Sequence, residues 1–298
     1  MVGSANAVSL EEIQAAIHQK GAAWTAGENE IWNKPTSERQ GLVGTILQRK
    51  NLPAFSTQKS FQTLPPSFDW RNSGVVTPVK NQGACGSCWA FASVGELESL
   101  AVMNVGSVGQ EYPDLSEQFL VSYNLSNKGC RGGAMDRAAE FLKQFGTPFE
   151  ACKPYTATSK KLPLPCSTWK EEAETIESWS YVPRTVEDLK AAVYQQPIAT
   201  AYLVYTDFYS YTGGVYEHVS GELEGGHAVL VVGWDDANQC FIVKNSWGAD
   251  WGEQGYFRIA YSQMANEVEF GTDSVLYKSE IPSWIWLLMP STRGWTDF

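Results

Sequence analysis

Three residues far apart in the chain could do nucleophilic chemistry together. Residues 81–91 read NQGACGSCWAF. Gly83 and Gly86 break any helix before Ser87; Trp89, Ala92, Ser93, Leu97, Leu100 and Ala101 then recur at helical spacing to about Met103. This puts Cys88 at or within the first turn of a helix. Unpaired backbone N–H groups and the helix dipole favour negative charge there, so a thiol ionises more readily and becomes a nucleophile. An isolated cysteine is more often a buried thiol or half of a disulfide, so the reading needs a base, and the base needs an orienting partner. His227 opens the strand pattern GGHAVLVVGW at 225–234, where Gly225 and Gly226 allow close backbone approach. Asn245 ends a second apolar strand within FIVKNSWGADWGEQGYFRI at 241–259. Two neighbouring antiparallel strands ending in His and Asn would bring those side chains together. Of the other two histidines, His18 lies in an N-terminal helical pattern and His218 in a polar turn.

Positioning such a set takes a sizeable core. The chain has 298 residues, 43% hydrophobic and 18% charged, a folding composition long enough for one large domain or two smaller ones. A net charge of −11 argues against a general nucleic-acid binder. No apolar run approaches ~18 residues, so no membrane span is expected. At the N-terminus, Leu10, Ile13, Ala16 and Ile17 follow Ser9 at helical spacing, with Glu12 placed for a capping box. Residues 1–10 lack a charged leader and a long apolar stretch, so a secretory signal either does not exist or lies before them. From about Gly21 to Thr63 periodicity fades. Residues 1–63 carry six basic and five acidic residues, against 16 and 28 in 64–298. A loosely structured arm and a segment docked on an acidic body both fit this pattern.

The motifs carry a resemblance. CGSCWAF, with His227 and Asn245 following Cys88 by 139 and 157 residues, resembles the papain-like cysteine peptidases, whose His and Asn follow the cysteine by about 130–150 residues. The likeness extends through PPSFDWR at 65–71, VTPVKNQGACGSCWAF at 76–91, LSEQFLVSYN at 115–124, GCRGGAMDRA at 129–138 and the two strand motifs above. The resemblance implies an α+β fold of two lobes. A helical left lobe is built on 87–103, 116–124 and 133–145; an antiparallel, barrel-like right lobe uses strands near 197–205, 227–235, 240–246 and 255–261; the cleft lies between. It makes Cys88 the nucleophile, His227 its base and Asn245 the orienting partner. Gln82 and the Cys88 N–H become oxyanion donors, and Trp247 a shield over the His–Asn bond. Gly132 and Gly133 would pair with an extended substrate, and Ala134 and Met135 would line an apolar specificity pocket. Its floor falls within NEVEFGTDSVLY at 266–277, with Thr272 and Asp273 as candidates; an Asp273 facing the pocket would accept a basic side chain. The activity implied is cysteine endopeptidase, through a thioester acyl-enzyme. A catalytically silent peptide-binding homologue and a thioester-based ligase or transpeptidase are the rivals.

The family also implies a Cys85–Cys130 bridge. Cys166 corresponds best to half of the family's second bridge, whose usual partner position holds Tyr123. A local Cys152–Cys166 bridge closes a short loop, worth about 3 kcal/mol in the chain-entropy model; two free thiols are the alternative. The third usual bridge falls near Val219 and Val268 and is absent, leaving Cys240 as a buried free thiol. Bridges imply an oxidising compartment, lysosomal, vacuolar or secreted. Residues 22–44, notably Trp24, Ala26, Gly27 and Asn29, resemble the short prosegment of the cathepsin B subgroup. Residues 1–63 are therefore expected to be an inhibitory prosegment that crosses the cleft in reverse, docks partly by charge, and is cut near Thr63–Pro66. The peptidase domain is expected over 64–277. Residues 278–298 form an extension of unassigned role. Exopeptidase action in that subgroup needs a paired-histidine loop, and the chain has no His pair. The expected partners are peptide or protein substrates and the chain's own prosegment, on a monomer without metal or cofactor.

Overall fold

The computed structural model describes residues 8–48, 63–105 and 113–279. Ser9 caps α1 (Leu10–Lys20) in the expected capping box: its hydroxyl accepts from the Glu12 N–H, and the Glu12 carboxylate accepts from the Ser9 N–H. Gly21 ends the helix in the left-handed conformation that glycine adopts without Cβ strain. β1 (Trp24–Ala26), α2 (Thr36–Arg39) and a short 3₁₀ turn to Leu42 follow. β2 (Ser67–Asp69) then leads into the main body.

The left lobe is helical: α3 (Cys88–Val105), α4 (Glu117–Tyr123), α5 (Met135–Phe145) and the single turn α6 (Trp169–Glu172). α3 is apolar nearly all round, so it is buried as the lobe's central rod. Ser116 caps α4 by accepting from the Phe119 N–H at 3.1 Å.

The right lobe is a sheet of β3 (Ser178–Tyr181), β4 (Ile198–Tyr205), β5 (Tyr211–Tyr216), β6 (Leu223–Asp235), β7 (Cys240–Lys244), β8 (Tyr256–Ala260) and β9 (Thr272–Lys278), with α7 (Val186–Val193) packed on β6. The strand order is β1-β5-β8-β7-β6-β4-β9-β3, and β2 adds to β6. The expected barrel-like right lobe is thus corrected: the sheet stays open, and β5 pairs with β8 in parallel. Its β5 edge is covered by the antiparallel strand β1, a way of protecting edge hydrogen-bonding groups without closing the sheet.

Each lobe has its own core. One centres on Trp89, Leu97, Leu120 and Leu142, the other on Tyr202, Phe208, Trp251 and Phe257. Polar ties join the lobes. The Lys80 ammonium lies 2.8–2.9 Å from Glu98, Asp114 and Glu117, and the buried Lys244 donates to the Thr77 hydroxyl, itself bonded to Glu98. Three donors also converge on the fully buried Glu96 of α3: the Gln196 amide and the backbone N–H groups of Ala199 and Tyr277. This fixes α3 against β4 and β9.

The N-terminal segment is docked, not loose. Ile13, Trp24, Ile31 and Leu42 belong to the right-lobe core. The Gly27 N–H donates to the Ser210 carbonyl, and the Asn29 amide to the Tyr209 carbonyl. Among the described residues this docking uses apolar packing, backbone pairing and the Arg39 guanidinium over the Tyr209 ring. The expected cut near Thr63–Pro66 borders residues 49–62, and most of the C-terminal extension, 280–298, likewise lies outside the described residues.

Candidate active site

The turn before α3 is built to hold one side chain at the helix start. The Ala90 and Phe91 N–H groups bond back to the Ser87 carbonyl, and the Gly86 N–H bonds to the Cys130 carbonyl. The Cys85–Cys130 disulfide clamps the same turn to the 129–133 loop. Cys88 is consequently the first residue of α3, fully buried with a free thiol. His227 sits in β6 opposite Tyr202 of β4, and Asn245 directly follows β7.

The imidazole Nε2 lies 2.8 Å from Asn245 Oδ1, which also accepts from the Ser246 N–H. An amide oxygen carries no hydrogen and can only accept, so Nε2 carries the proton and Nδ1 is left as a bare base. Nδ1 is buried and has no hydrogen-bond partner. The Trp247 ring covers the imidazole at 4.7 Å and 33°, backed by Phe208, Tyr209 and Trp251. Trp247 is itself buried, as a ring lying over the imidazole and screening its bond to Asn245 would be.

The cleft between Cys88 and His227 is filled by residues 42–48. The Gly44 and Thr45 N–H groups donate to the Gly226 carbonyl; on the other wall the Gly133 N–H donates to the Gly44 carbonyl and the Ile46 N–H to the Gly133 carbonyl. The bridge at Thr45–Gly133 is parallel. Both walls need glycine: a Cβ on Gly226 would overlap the Thr45 carbonyl, and one on Gly132, at φ +112°, would overlap the Gly44 carbonyl. Thr45 Oγ1 rests 3.2 Å from Cys88 Sγ. Gln82 directs its amide N–H to the Leu42 carbonyl at 3.0 Å and to the Cys85 carbonyl at 2.8 Å, while its oxygen accepts from the Ser246 hydroxyl.

This filling inverts the electrostatics expected from the helix start. Burial pushes the Cys88 thiol up, against the pull of its hydrogen bond to Thr45, and drives His227 down to about 4, against the pull of Asn245. Both groups are neutral near pH 7 with the cleft occupied.

A model described as papain family cysteine protease matches residues 64–277. The chain belongs to that family. As a papain-family cysteine protease it is a peptide hydrolase, and its relatives bear this out. It is 33% identical over 272 residues to cathepsin B-like CP2 of Giardia intestinalis, covering 86% of this chain and 90% of that one. It is 38% identical over 282 residues to cathepsin B-like CP3 of the same organism, covering 89% and 92%. Among solved structures, procathepsin B S9 from Trypanosoma congolense superposes with a TM-score of 0.80 at 26% identity, over 92% of this chain and 99% of that one. Digestive procathepsin L2 from Tenebrio molitor gives 0.77 at 31%, over 90% and 88%.

The structure of this papain-family protease distributes the remaining expected residues unevenly. Gly133 faces residues 44–46 directly, and Gly132 approaches Gly44. Ala134 and Met135 are fully buried behind that wall. Asp273 points its carboxylate at the Gln48 N–H, at the end of the filled cleft, while Thr272 is buried and bonded to the Glu269 carbonyl. The second disulfide joins Cys152 to Cys166, and Cys240 is a buried free thiol that burial pushes up to about 11. Two disulfides agree with an oxidising compartment. Three positioning groups were missed. Ser246 fixes the Gln82 amide, and its signal was its place between Asn245 and Trp247. Tyr155 donates to the Gln82 carbonyl oxygen at 2.7 Å and meets the Ser87 hydroxyl at 2.6 Å. Thr45 had no sequence signal at all.

Proposed function

We propose that this chain is the zymogen of a cysteine endopeptidase, with residues 1–63 as its inhibitory prosegment and 64–277 as the peptidase domain. The observation that carries the reading is the seat of Thr45 against Cys88 Sγ, its N–H bonded to the Gly226 carbonyl while its neighbours Gly44 and Ile46 pair with Gly133. The parallel bridge to Gly133 fits a prosegment crossing the cleft in reverse. Once the segment leaves, water re-enters and the thiol and imidazole can share a proton as an ion pair. Cys88 then attacks a peptide carbonyl, and the Cys88 N–H and the Gln82 amide, released from Leu42, stabilise the oxyanion. His227 protonates the leaving amine, and water hydrolyses the thioester with His227 as base. Endopeptidase action follows from the lack of paired histidines, since His18, His218 and His227 are scattered. Asp273, at the cleft end beside Gln48, would accept a basic side chain in the main specificity pocket. The two disulfides favour a lysosomal, vacuolar or secreted setting.

The test is hydrolysis of fluorogenic dipeptides by the intact chain, by the acid-incubated chain and by Cys88→Ala. Acid incubation should release a fragment beginning near residue 64 and raise activity, and Cys88→Ala should do neither. Activity equal before and after incubation, or surviving Cys88→Ala, refutes the proposal. Turnover of Arg-Arg beside Phe-Arg tests Asp273, and its absence removes that assignment.

A further inference from the structure

On the left lobe, at the end of α5 remote from the cleft, lies a groove the reaction does not use. α5 begins two residues after Gly133, and Phe145 at its other end lies about 15 Å along the axis. The groove has a volume of about 470 Å³ and is walled by Phe119, Tyr123, Phe141, Phe145, Leu164 and Trp169. Phe145 is 43% exposed and Leu164 68% exposed. A second cavity of about 560 Å³ continues it along Tyr123 and Phe141 to Trp179, with Leu125, 78% exposed, at its rim. Contiguous exposed apolar side chains edged by polar residues are a common feature of interaction surfaces.

The wall is held in shape. The Cys152–Cys166 disulfide anchors its outer loop, the Lys153 ammonium is hydrogen-bonded to the Lys161 and Pro163 carbonyls, and the Tyr123 hydroxyl donates to the Lys161 carbonyl. The loop that presents Leu164 is therefore fixed before anything binds.

The chain itself supplies an occupant. β9 ends at Lys278, the strand partner of Ser178, and Trp179, which lines the second cavity, stands opposite Tyr277. Ser279 accepts a hydrogen bond from the Asn104 amide. The described chain therefore ends one strand spacing from the cavity wall, with residues 280–298 still to follow. They begin EIPSWIWLLMP, with Ile281, Trp284, Ile285, Trp286, Leu287 and Leu288 within eight positions. Six extended residues reach about 20 Å, enough to pass from one cavity to the other. We propose that residues 281–289 pack into this groove in cis, Trp284 and Trp286 entering between Phe141, Phe145 and Trp169, so that the C-terminal segment is a clasp on the left lobe.

The test is hydrogen exchange by mass spectrometry on the full Cys88→Ala chain, the same chain ending at Ser279, and the full chain carrying Phe145→Glu and Leu164→Glu. Amides of 117–123, 141–145 and 164–169 should exchange about tenfold more slowly in the full chain than in the other two. A synthetic 280–298 peptide added to the shortened chain should restore the protection. If the shortened chain does not fold, the double Glu variant carries the comparison alone. Equal exchange in the full chain and the Glu variant overturns the proposal. So does protection that appears only with rising protein concentration, which would make the occupant a second copy, or only with lipid vesicles, which would make it a membrane surface.

Discussion

With the cleft filled, burial holds His227 at about 4 against an ordinary imidazole value of 6.5. The filled form therefore binds fewer protons than any form in which water reaches the ring. Its advantage is complete above pH 6.5 and is lost progressively as pH falls towards 4. The whole interval is worth about 3 kcal/mol at about 1.4 kcal/mol per pH unit. At pH 5 about 2 kcal/mol has gone, roughly a thirtyfold shift towards opening. To read it, a specific protease site is placed within 49–62 of the Cys88→Ala chain, which cannot cut itself. The chain is then nicked, and retention of the N-terminal fragment is measured from pH 7 to pH 4. His227→Gln is run in parallel to remove what the carboxylates contribute, Asp273 at Gln48 among them. Retention should weaken by about thirtyfold between pH 7 and 5, with most of that slope missing in His227→Gln. Identical slopes in the two proteins would refute the argument that desolvation of this imidazole opposes acid.

Thr45→Val keeps the shape at Cys88 but deletes the hydroxyl bonded to its sulfur and should cost the intact chain about 0.5–1.5 kcal/mol in urea unfolding; an unchanged midpoint would show that the hydroxyl contributes nothing to the seal. Glu96→Gln sets an amide N–H₂ against backbone donors and should cost about 1–3 kcal/mol in urea unfolding; an unchanged midpoint would contradict the three-donor arrangement. Cys152→Ala with Cys166→Ala should cost about 3 kcal/mol by loop entropy, measured the same way; an unchanged midpoint would show that closing this loop contributes nothing.

The catalytic geometry was legible because its signals are local. Glycines at 83 and 86 set the start of α3, and apolar runs end at His227 and Asn245. The Cys85–Cys130 bridge followed from the family pattern, whereas for Cys152 and Cys166 a bridge and two free thiols both stayed open until the structure joined them. What escaped the sequence was what the tertiary structure adds. β5, with glycines at 213 and 214, has a weak strand signature, and it is a strand because β1 and β8 flank it. The helix-start argument for Cys88 was correct in placing the thiol and incomplete in its electrostatics, since a segment more than forty residues upstream removes the water that a thiolate needs. The apolar share of the docking of residues 8–48 was not visible in the charge pattern. Net charge counts ionic groups wherever they lie, whereas Trp24, Ile31 and Leu42 act by entering the right-lobe core.

On the proposed zymogen reading, latency would have two physical parts that can be separated. One is steric: Thr45 and Leu42 occupy the Cys88 sulfur and the Gln82 donor, so no scissile carbonyl can enter. The other is electrostatic. A thiolate–imidazolium pair in the closed cleft would have to be desolvated, and the direction of both shifts says that the neutral pair is preferred. Steric blocking alone would leave an activated thiol waiting beneath a lid, open to oxidation or alkylation by anything small. The second part keeps the thiol unreactive while the lid is on. It follows that a small neutral reagent should meet a sluggish Cys88 even where it can diffuse past residues 42–48, and that reactivity should rise with opening and not with reagent size. A series of alkylating agents of graded bulk decides between the two. Rates that fall steeply with bulk on the intact chain would assign latency to sterics alone. Rates that are uniformly low and rise together on acid opening would assign it to the missing water.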